Sequence, residues 1–318
     1  MTRGGVRRPV VFLMGPTGAG KTAAALWLAA RLPLEVVSVD SALVYRGLDI
    51  GAAKPDPGER RRVPHHLIDI CDPADAYSAG RFRADALAAI DAIVARGRLP
   101  LLVGGTGLYF RVLERGIADI PAPPPALREA LRAEMAERGP AALHARLAAV
   151  DPESAARIHP NDPQRITRAL EVHAATGRPL SAHFAATASD GLDRPVLKWV
   201  LAPGNREGLR ARLATRFDAM LEQGLLNEVA ALRARGDLDL GCPALRAVGY
   251  HEVWRHLAGE LTREEMVSLA VTATRQYAKR QYTWFRAERD ARWFDADTRS
   301  VLDELIIDLK TRANLVDY

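Results

Sequence analysis

Residues 10–30 read VVFLMGPTGAGKTAAALWLAA. The apolar run 10–14 closes on Gly15 and has the character of a buried strand, whereas the Ala- and Leu-rich run 21–32 reads as a helix. Between them Gly15, Pro16, Thr17, Gly18, Ala19, Gly20, Lys21 and Thr22 spell Gly-x4-Gly-Lys-Thr. Glycines let successive N–H groups turn toward one anion. The start of the helix adds a positive dipole end. Lys21 brings a mobile cation, and Thr22 a hydroxyl that can hold Mg2+. The stretch predicts a polyphosphate site between a strand and a helix. It does not say which polyphosphate.

Working outward, residues 35–39 form a second apolar run ending at Asp40, residues 66–70 a candidate third strand, and residues 100–103 a further buried strand ended by GGTG. Helical spacing at Phe82, Leu87, Ile90 and Val94 lies between them. This alternation predicts an α/β fold: a P-loop NTPase-like parallel sheet with helices on both faces. From 128 to 176 the period is helical throughout, broken at Gly139-Pro140 and Asp151-Pro152. Strand character returns at 194–203 and again in ARWFDAD, residues 291–297. The expected organisation is a P-loop-like catalytic core of residues 1–119 and 191–318. An all-helical domain, residues 120–190, is inserted behind the Pro-rich hinge DIPAPPP.

The 318 residues are 48% hydrophobic and 26% charged, as soluble globular proteins are. A net charge of +5 permits a nucleic-acid partner without requiring one. No apolar segment reaches the length that spans a bilayer, and no cleavage pattern follows the basic start. Cys71 and Cys242 have neither disulfide nor zinc spacing, so a reducing cytoplasmic location is expected, with both thiols as small buried residues. The eight histidines suggest no metal cluster. His65 and His66 would point to opposite sides of an extended run and take polar or structural roles.

A P-loop NTPase usually carries an acid at the end of a second strand. Here the best candidate strand ends in Gly-Gly-Thr, and the acid is Asp40 instead. Ligands of doubly wound sheets bind at the carboxyl ends of strands, so Asp40, Thr106 and the phosphate loop should share one crevice. Lys21, Mg2+ and backbone amides can stabilise a departing diphosphate. Asp40 can take a proton from a nucleophile, and the Thr106 hydroxyl can bond the bridging oxygen. That set suits carbon–oxygen cleavage with diphosphate leaving, and equally the phosphoryl transfer of a nucleoside or small-molecule kinase. Plainer roles also stand: Asp40 as a turn cap and GGTG as a tight turn. Arg275, Lys279, Tyr282 and Arg286 recur at helical spacing, with Tyr277, Arg280, Trp284 and Phe285 among them. They form either an RNA-stacking face or a solvated one. Arg165 and Arg168 pose the same choice.

Seven blocks then occur in order: GPTGAGKT, VDSALVYRGLDIGAAKP, HHLIDICDP, LLVGGTGLYF, NDPQRITRALEV, RAVGYHEVW and TRQYAKRQYTWFR. Together, over residues 10–294, the chain resembles the bacterial tRNA dimethylallyltransferases, also called tRNA isopentenyltransferases. The resemblance implies transfer of a dimethylallyl group from dimethylallyl diphosphate to N6 of the adenosine at position 37 of tRNA, next to the anticodon. It implies a cytoplasmic monomer. Gly15 to Thr22 would hold the prenyl diphosphate, with Mg2+ at Thr22. Asp40 would be the general base, Thr106 the partner of the bridging oxygen, and Arg216 a further diphosphate ligand. The implied tRNA contacts begin at Asp40, Ser41, Ala42, Leu43 and Thr106. In the insertion they are Arg128, Gln164, Arg165, Ile166, Thr167 and Arg168. A third set is Arg246, Ala247, Val248, Gly249, Tyr250 and His251. The last is Lys279, Arg280, Gln281, Tyr282, Thr283, Trp284, Phe285 and Arg286. Two departures stand out: Gly18-Ala19 replaces a usual Ala-Ser, and Ala52 replaces a usual Thr, which removes a hydroxyl there. An adenylate isopentenyltransferase, acting on a free nucleotide, is the nearest alternative. The insertion and the basic C-terminal helix argue against it.

Overall fold

The computed structural model describes residues 8–118, 120–121, 123–186 and 191–313. Along the chain run β1 (Val10–Met14), α1 (Lys21–Ala29), β2 (Leu34–Val39), α2 (Pro57–Arg62), β3 (His65–His66), α3 (Ala79–Ala95), β4 (Leu99–Gly104) and α4 (Gly107–Arg115). Four helices follow: α5 (Pro125–Val150), α6 (Pro152–Arg157), α7 (Pro163–Thr176) and α8 (Leu180–Ala186). The chain then forms β5 (Val196–Ala202), α9 (Arg206–Glu222), α10 (Leu225–Ala234), α11 (Tyr250–Leu257), α12 (Arg263–Arg286), β6 (Arg292–Asp295) and α13 (Val301–Ala313). Two compact units result, Met1–Leu113 with Asp193–Tyr318, and Glu114–Leu192.

The first unit is built on one all-parallel sheet in the order β3-β2-β4-β1-β5-β6. Its central strands are apolar at nearly every position because both faces are covered. Val11, Leu13, Leu101 and Trp199 point to one face, where Leu28 of α1 and Leu305 and Leu309 of α13 complete the core. Phe12 points to the other and meets Phe110 of α4 with ring centroids 5.0 Å apart. The indole N–H of Trp199 donates to buried Asp308 of α13 at 2.6 Å, which ties the C-terminal helix to the sheet.

The expected strand over 66–70 stops at His66. Leu67 and Asp69 take positive φ, 63° and 60°, and no strand continues through left-handed residues. Asp69 is held there by hydrogen bonds from Lys54 and Arg60. His65 Nδ1 contacts the Val63 carbonyl, and His66 Nε2 contacts Glu35 Oε2, each at 2.7 Å. Cys71 is buried, but Cys242 is half-exposed beside Asp239, so the expectation of two buried thiols holds for one.

The second unit is all helical. Gly139 (φ 76°) kinks α5, because Pro140 offers no N–H to continue the ladder. Asp151 caps α6 by accepting the Ser154 N–H at 3.0 Å, and Asp162 caps α7 by accepting the Arg165 N–H at 3.0 Å. Leu131, Leu143, Leu147, Ile166 and Leu170 form the core of this unit.

Candidate active site

Strand register assembles the site. Val39 of β2 pairs with Gly104 of β4, and Gly104 pairs with Met14 of β1. The next residues are Asp40, Gly105 and Gly15, so three strand ends deliver acid, turn and phosphate loop side by side. The Thr106 N–H donates to the Val39 carbonyl at 3.3 Å, which locks the turn against β2.

Close packing explains the glycines here. A Cβ on Gly15 would lie 2.1 Å from the Leu201 carbonyl, and one on Gly104 would lie 2.0 Å from that of Val39. Gly18 and Gly20 have φ of 79° and 81°, which turns the loop into the first turn of α1. Lys21 Nζ donates to the Gly15 and Pro16 carbonyls, each at 2.8 Å.

The loop opens on a cavity of about 1070 Å³. Lys21, Thr22, Asp40 and Arg216 line it together. Leu213, Phe217, Met220 and Leu225, from α9 and α10, form an apolar wall in the same space. Lys21 is lowered to about 8, first by withdrawal from water; Asp40 opposes the shift and Arg216 adds to it. Burial also lowers Arg216, again against the pull of Asp40. One carboxylate thus faces two cations that are poorly solvated, an arrangement that favours an anionic ligand.

Asp40 performs the capping role and remains available. Its Oδ1 accepts the Ala42 N–H at 2.8 Å and the Leu43 N–H at 3.3 Å. Oδ2 accepts no hydrogen bond among the described residues. The Thr106 hydroxyl is buried and lies beside the phenol of Tyr277. Tyr277 of α12 lines the cavity, and its phenol is pushed up by burial first and by the Asp40 charge second.

No group of three His, Cys, Asp or Glu side chains among the described residues is placed to cage an ion. The Thr22 hydroxyl, exposed in the first turn of α1, fits a Mg2+ shared with substrate phosphates, since that ion takes few protein ligands and keeps water.

The model of the family described as IPP transferase matches residues 43–288. The chain belongs to the IPP transferase family. Among relatives, a tRNA dimethylallyltransferase of Alkalilimnicola ehrlichii is 59% identical over 281 residues, 88% of each chain. That of Halorhodospira halophila is 56% identical over 291 residues, 92% of this chain and 94% of its own. The full-length tRNA isopentenylpyrophosphate transferase of Bacillus halodurans is 38% identical with a TM-score of 0.72, covering 97% of both chains. A eukaryotic dimethylallyltransferase, solved acting on tRNA, is 28% identical with a TM-score of 0.81, covering 96% of this chain and 80% of its own.

For this IPP transferase, the structure distributes the anticipated RNA contacts unevenly. Ser41, Ala42, Leu43, Arg246, Ala247, Val248 and Gly249 line the cavity. Lys279, Arg280, Thr283 and Arg286 are exposed on α12. His251 is half-buried beside Glu252. Tyr282 stacks on Trp293 at 6.3 Å, and Trp284 carries the Arg111 guanidinium 4.9 Å from its ring centre. In the helical unit Arg128, Gln164 and Arg165 are exposed, while Thr167 and Arg168 are half-buried. Arg165 and Arg168 pair with Asp162 and Glu171, each at 3.4 Å.

Three side chains require a correction: Ile166, Tyr250 and Phe285 are buried and do not line the cavity, so none offers a surface to RNA. Gln281, though 4% exposed, reaches the edge of the cavity. Ile166 and Phe285 are core. Tyr250 and Gln281 hold loops, a role that spacing in the sequence does not signal. Trp27 and Arg31, which no motif in the sequence marks, also line the cavity, with the guanidinium 3.7 Å from the indole centre.

Proposed function

We propose that the cavity of the sheet unit carries out dimethylallyl transfer from dimethylallyl diphosphate to N6 of the adenosine at position 37 of tRNA. The observation that carries the reading is the meeting of Lys21, Arg216 and Asp40 with an apolar wall in one cavity. Phosphoryl transfer itself needs the cations but not the wall. A prenyl diphosphate needs both, with charge at one end and a hydrocarbon at the other. Family membership supports the same choice.

The exocyclic amine of adenine is delocalised into its ring and is a weak nucleophile. As its nitrogen bonds to the allylic carbon, the carbon–oxygen bond breaks and the electron pair leaves with diphosphate. Asp40 Oδ2 accepts the proton lost by the amine. Lys21, Arg216 and the loop amides hold the leaving charge, and Thr106 donates to the bridging oxygen. Mg2+, held at Thr22 when bound, supplies further charge neutralisation. The adenosine must leave its stack to enter the cavity, as bases do in other base-modifying enzymes. Exposed Lys279, Arg280 and Arg286 on α12 supply phosphate contacts. Arg128, Gln164, Arg165 and Arg168 supply them from the helical unit, which we assign to the anticodon arm. The enzyme acts as a cytoplasmic monomer; no helix among the described residues is long and apolar enough to cross a membrane.

The test is a transfer assay with Mg2+, labelled dimethylallyl diphosphate and either undermodified tRNA or AMP. Label in tRNA, recovered as the N6-modified nucleoside, is the expected result. Label in AMP alone would point to an adenylate isopentenyltransferase.

A further inference from the structure

The amide of Gln281 lies where two loops of the cavity meet. Its Oε1 accepts the Thr17 N–H at 2.9 Å, and its Nε2 donates to the Gly105 carbonyl at 3.0 Å. The residue is 4% exposed, so both bonds are shielded from water. Gly105 has no space for a side chain: a Cβ there would lie 2.0 Å from Gln281 Nε2. A Cβ on Gly107 would lie 2.7 Å from Trp284. Gln281 and Trp284 are neighbours on one face of α12. Gly105 and Gly107 lack side chains where α12 is seated on the turn, and Thr106 lies between the two contacts.

We propose that Gln281 is a positioning residue for prenyl transfer, a two-sided amide that sets the spacing between the phosphate cradle and the Thr106 turn. The inference rests on the prenyl-transfer reading. Pairing of β1 with β4 fixes where the two loops begin, at Gly15 and Gly105. Gln281 fixes them beyond the strand ends, at Thr17 on one side and beside Thr106 on the other. The reaction needs both at once: the cradle holds the diphosphate, and Thr106 must face the oxygen that joins it to carbon. The side chain must present one acceptor and one donor at opposite ends of a single plane. Glutamate keeps the bond to Thr17 but turns a second acceptor toward the Gly105 carbonyl. Methionine fills the space and leaves Thr17 N–H and Gly105 C=O unpaired.

The experiment uses the full chain, with Q281M and Q281E in wild-type and T106A backgrounds, thermal unfolding as the check on folding, and steady-state transfer to tRNA. Q281M is expected to lower kcat on the order of 10–100-fold, as misplacement of reacting groups does, while the KM for tRNA moves by less than about twofold. In the T106A background the same change should cost less than about threefold, since residues acting through one another are not additive. Should Q281M fail to fold, Q281E carries the test with the same expected loss of kcat. A raised KM for tRNA at unchanged kcat would overturn the proposal in favour of RNA recognition. Equal losses in both backgrounds would overturn it in favour of general destabilisation. Normal kcat in the variants, beside an active wild type, would overturn the proposal alone. A wild type that transfers no prenyl group would overturn the proposal together with the reading beneath it.

Discussion

The phenol of Tyr250 donates to Glu228 Oε1 at 2.6 Å and accepts the Ala52 N–H at 3.1 Å. Glu228 also takes the N–H groups of Asp49, Ile50 and Gly51. One tyrosine and one carboxylate therefore suspend the loop whose residues Gly51, Ala52 and Ala53 line the cavity. Burial first, then the Glu228 charge, hold the phenol far above its ordinary range, so it remains a donor. Ala52 takes part through its backbone, and the hydroxyl absent from this position is not needed for the anchor.

Tyr250→Phe should therefore act on stability before chemistry. It leaves the half-buried Ala52 N–H without its partner and strips a neutral donor from Glu228, a loss of about 1–2 kcal/mol by comparison with other unsatisfied groups. Urea unfolding at neutral pH measures it. A variant as stable as wild type would show that the loop is held by other contacts.

Asp40 allows its two roles to be separated. Asn at position 40 keeps an oxygen for the Ala42 and Leu43 N–H groups but cannot act as a base. D40N should stay within about 1 kcal/mol of wild-type stability and lose kcat on the order of 10³-fold. D40A should lose both activity and stability. Paired unfolding curves and single-turnover rates check this; near-normal turnover by D40N would assign the base elsewhere.

Lys21 links stability to pH. Its pKa falls from 10.5 to about 8 on folding, because burial penalises the charged form. Between those values the unfolded chain binds more protons than the folded one, so stability rises with pH across the window. Below about pH 8 the full cost of burying the charge remains, on the order of 1–3 kcal/mol. Lys21→Met removes that cost and the catalytic cation together. K21M should be inactive yet more stable than wild type at neutral pH, with the advantage shrinking toward about pH 10. Denaturation midpoints across this range give the answer, and a K21M less stable than wild type at neutral pH would contradict it.

The helical unit has its own pH dependence through Asp151. Burial pushes this carboxyl up, but bonds from the Ser154 N–H and from the Ser181 hydroxyl and N–H outweigh it and hold the group at about 2. The stabilisation is complete above the ordinary value of 3.8 and is lost as pH falls through about 2. Asp151→Ala should lower helix stability at neutral pH and remove this acid step. Far-ultraviolet circular dichroism during acid titration reads both effects.

The sheet was legible because its central strands are buried on both faces and spell themselves as apolar runs, those of β1, β2 and β4 stopping at Gly15, Asp40 and Gly104. Lys21, Asp40 and Thr106 were legible because parallel strands deliver their ends to one edge. The early end of the third strand is not legible, because left-handed backbone at Leu67 and Asp69 is a tertiary demand, met at Asp69 by Lys54 and Arg60. The roles of Gln281 and Tyr250 in holding loops are hidden for a related reason. Polar side chains in a basic or aromatic neighbourhood read as surface, and only the fold shows that their partners, Thr17 and Glu228, lie 264 and 22 residues away.

The most direct test of the central claim asks what the Gly15–Thr22 cradle holds. A non-hydrolysable dimethylallyl thiodiphosphate is titrated into wild type and K21M with Mg2+, and ATP is then offered as competitor. The account predicts that the analogue binds wild type, that K21M loses it, that inorganic diphosphate displaces it, and that ATP does not. Tight ATP binding at the same loop, with the prenyl analogue excluded, would contradict it.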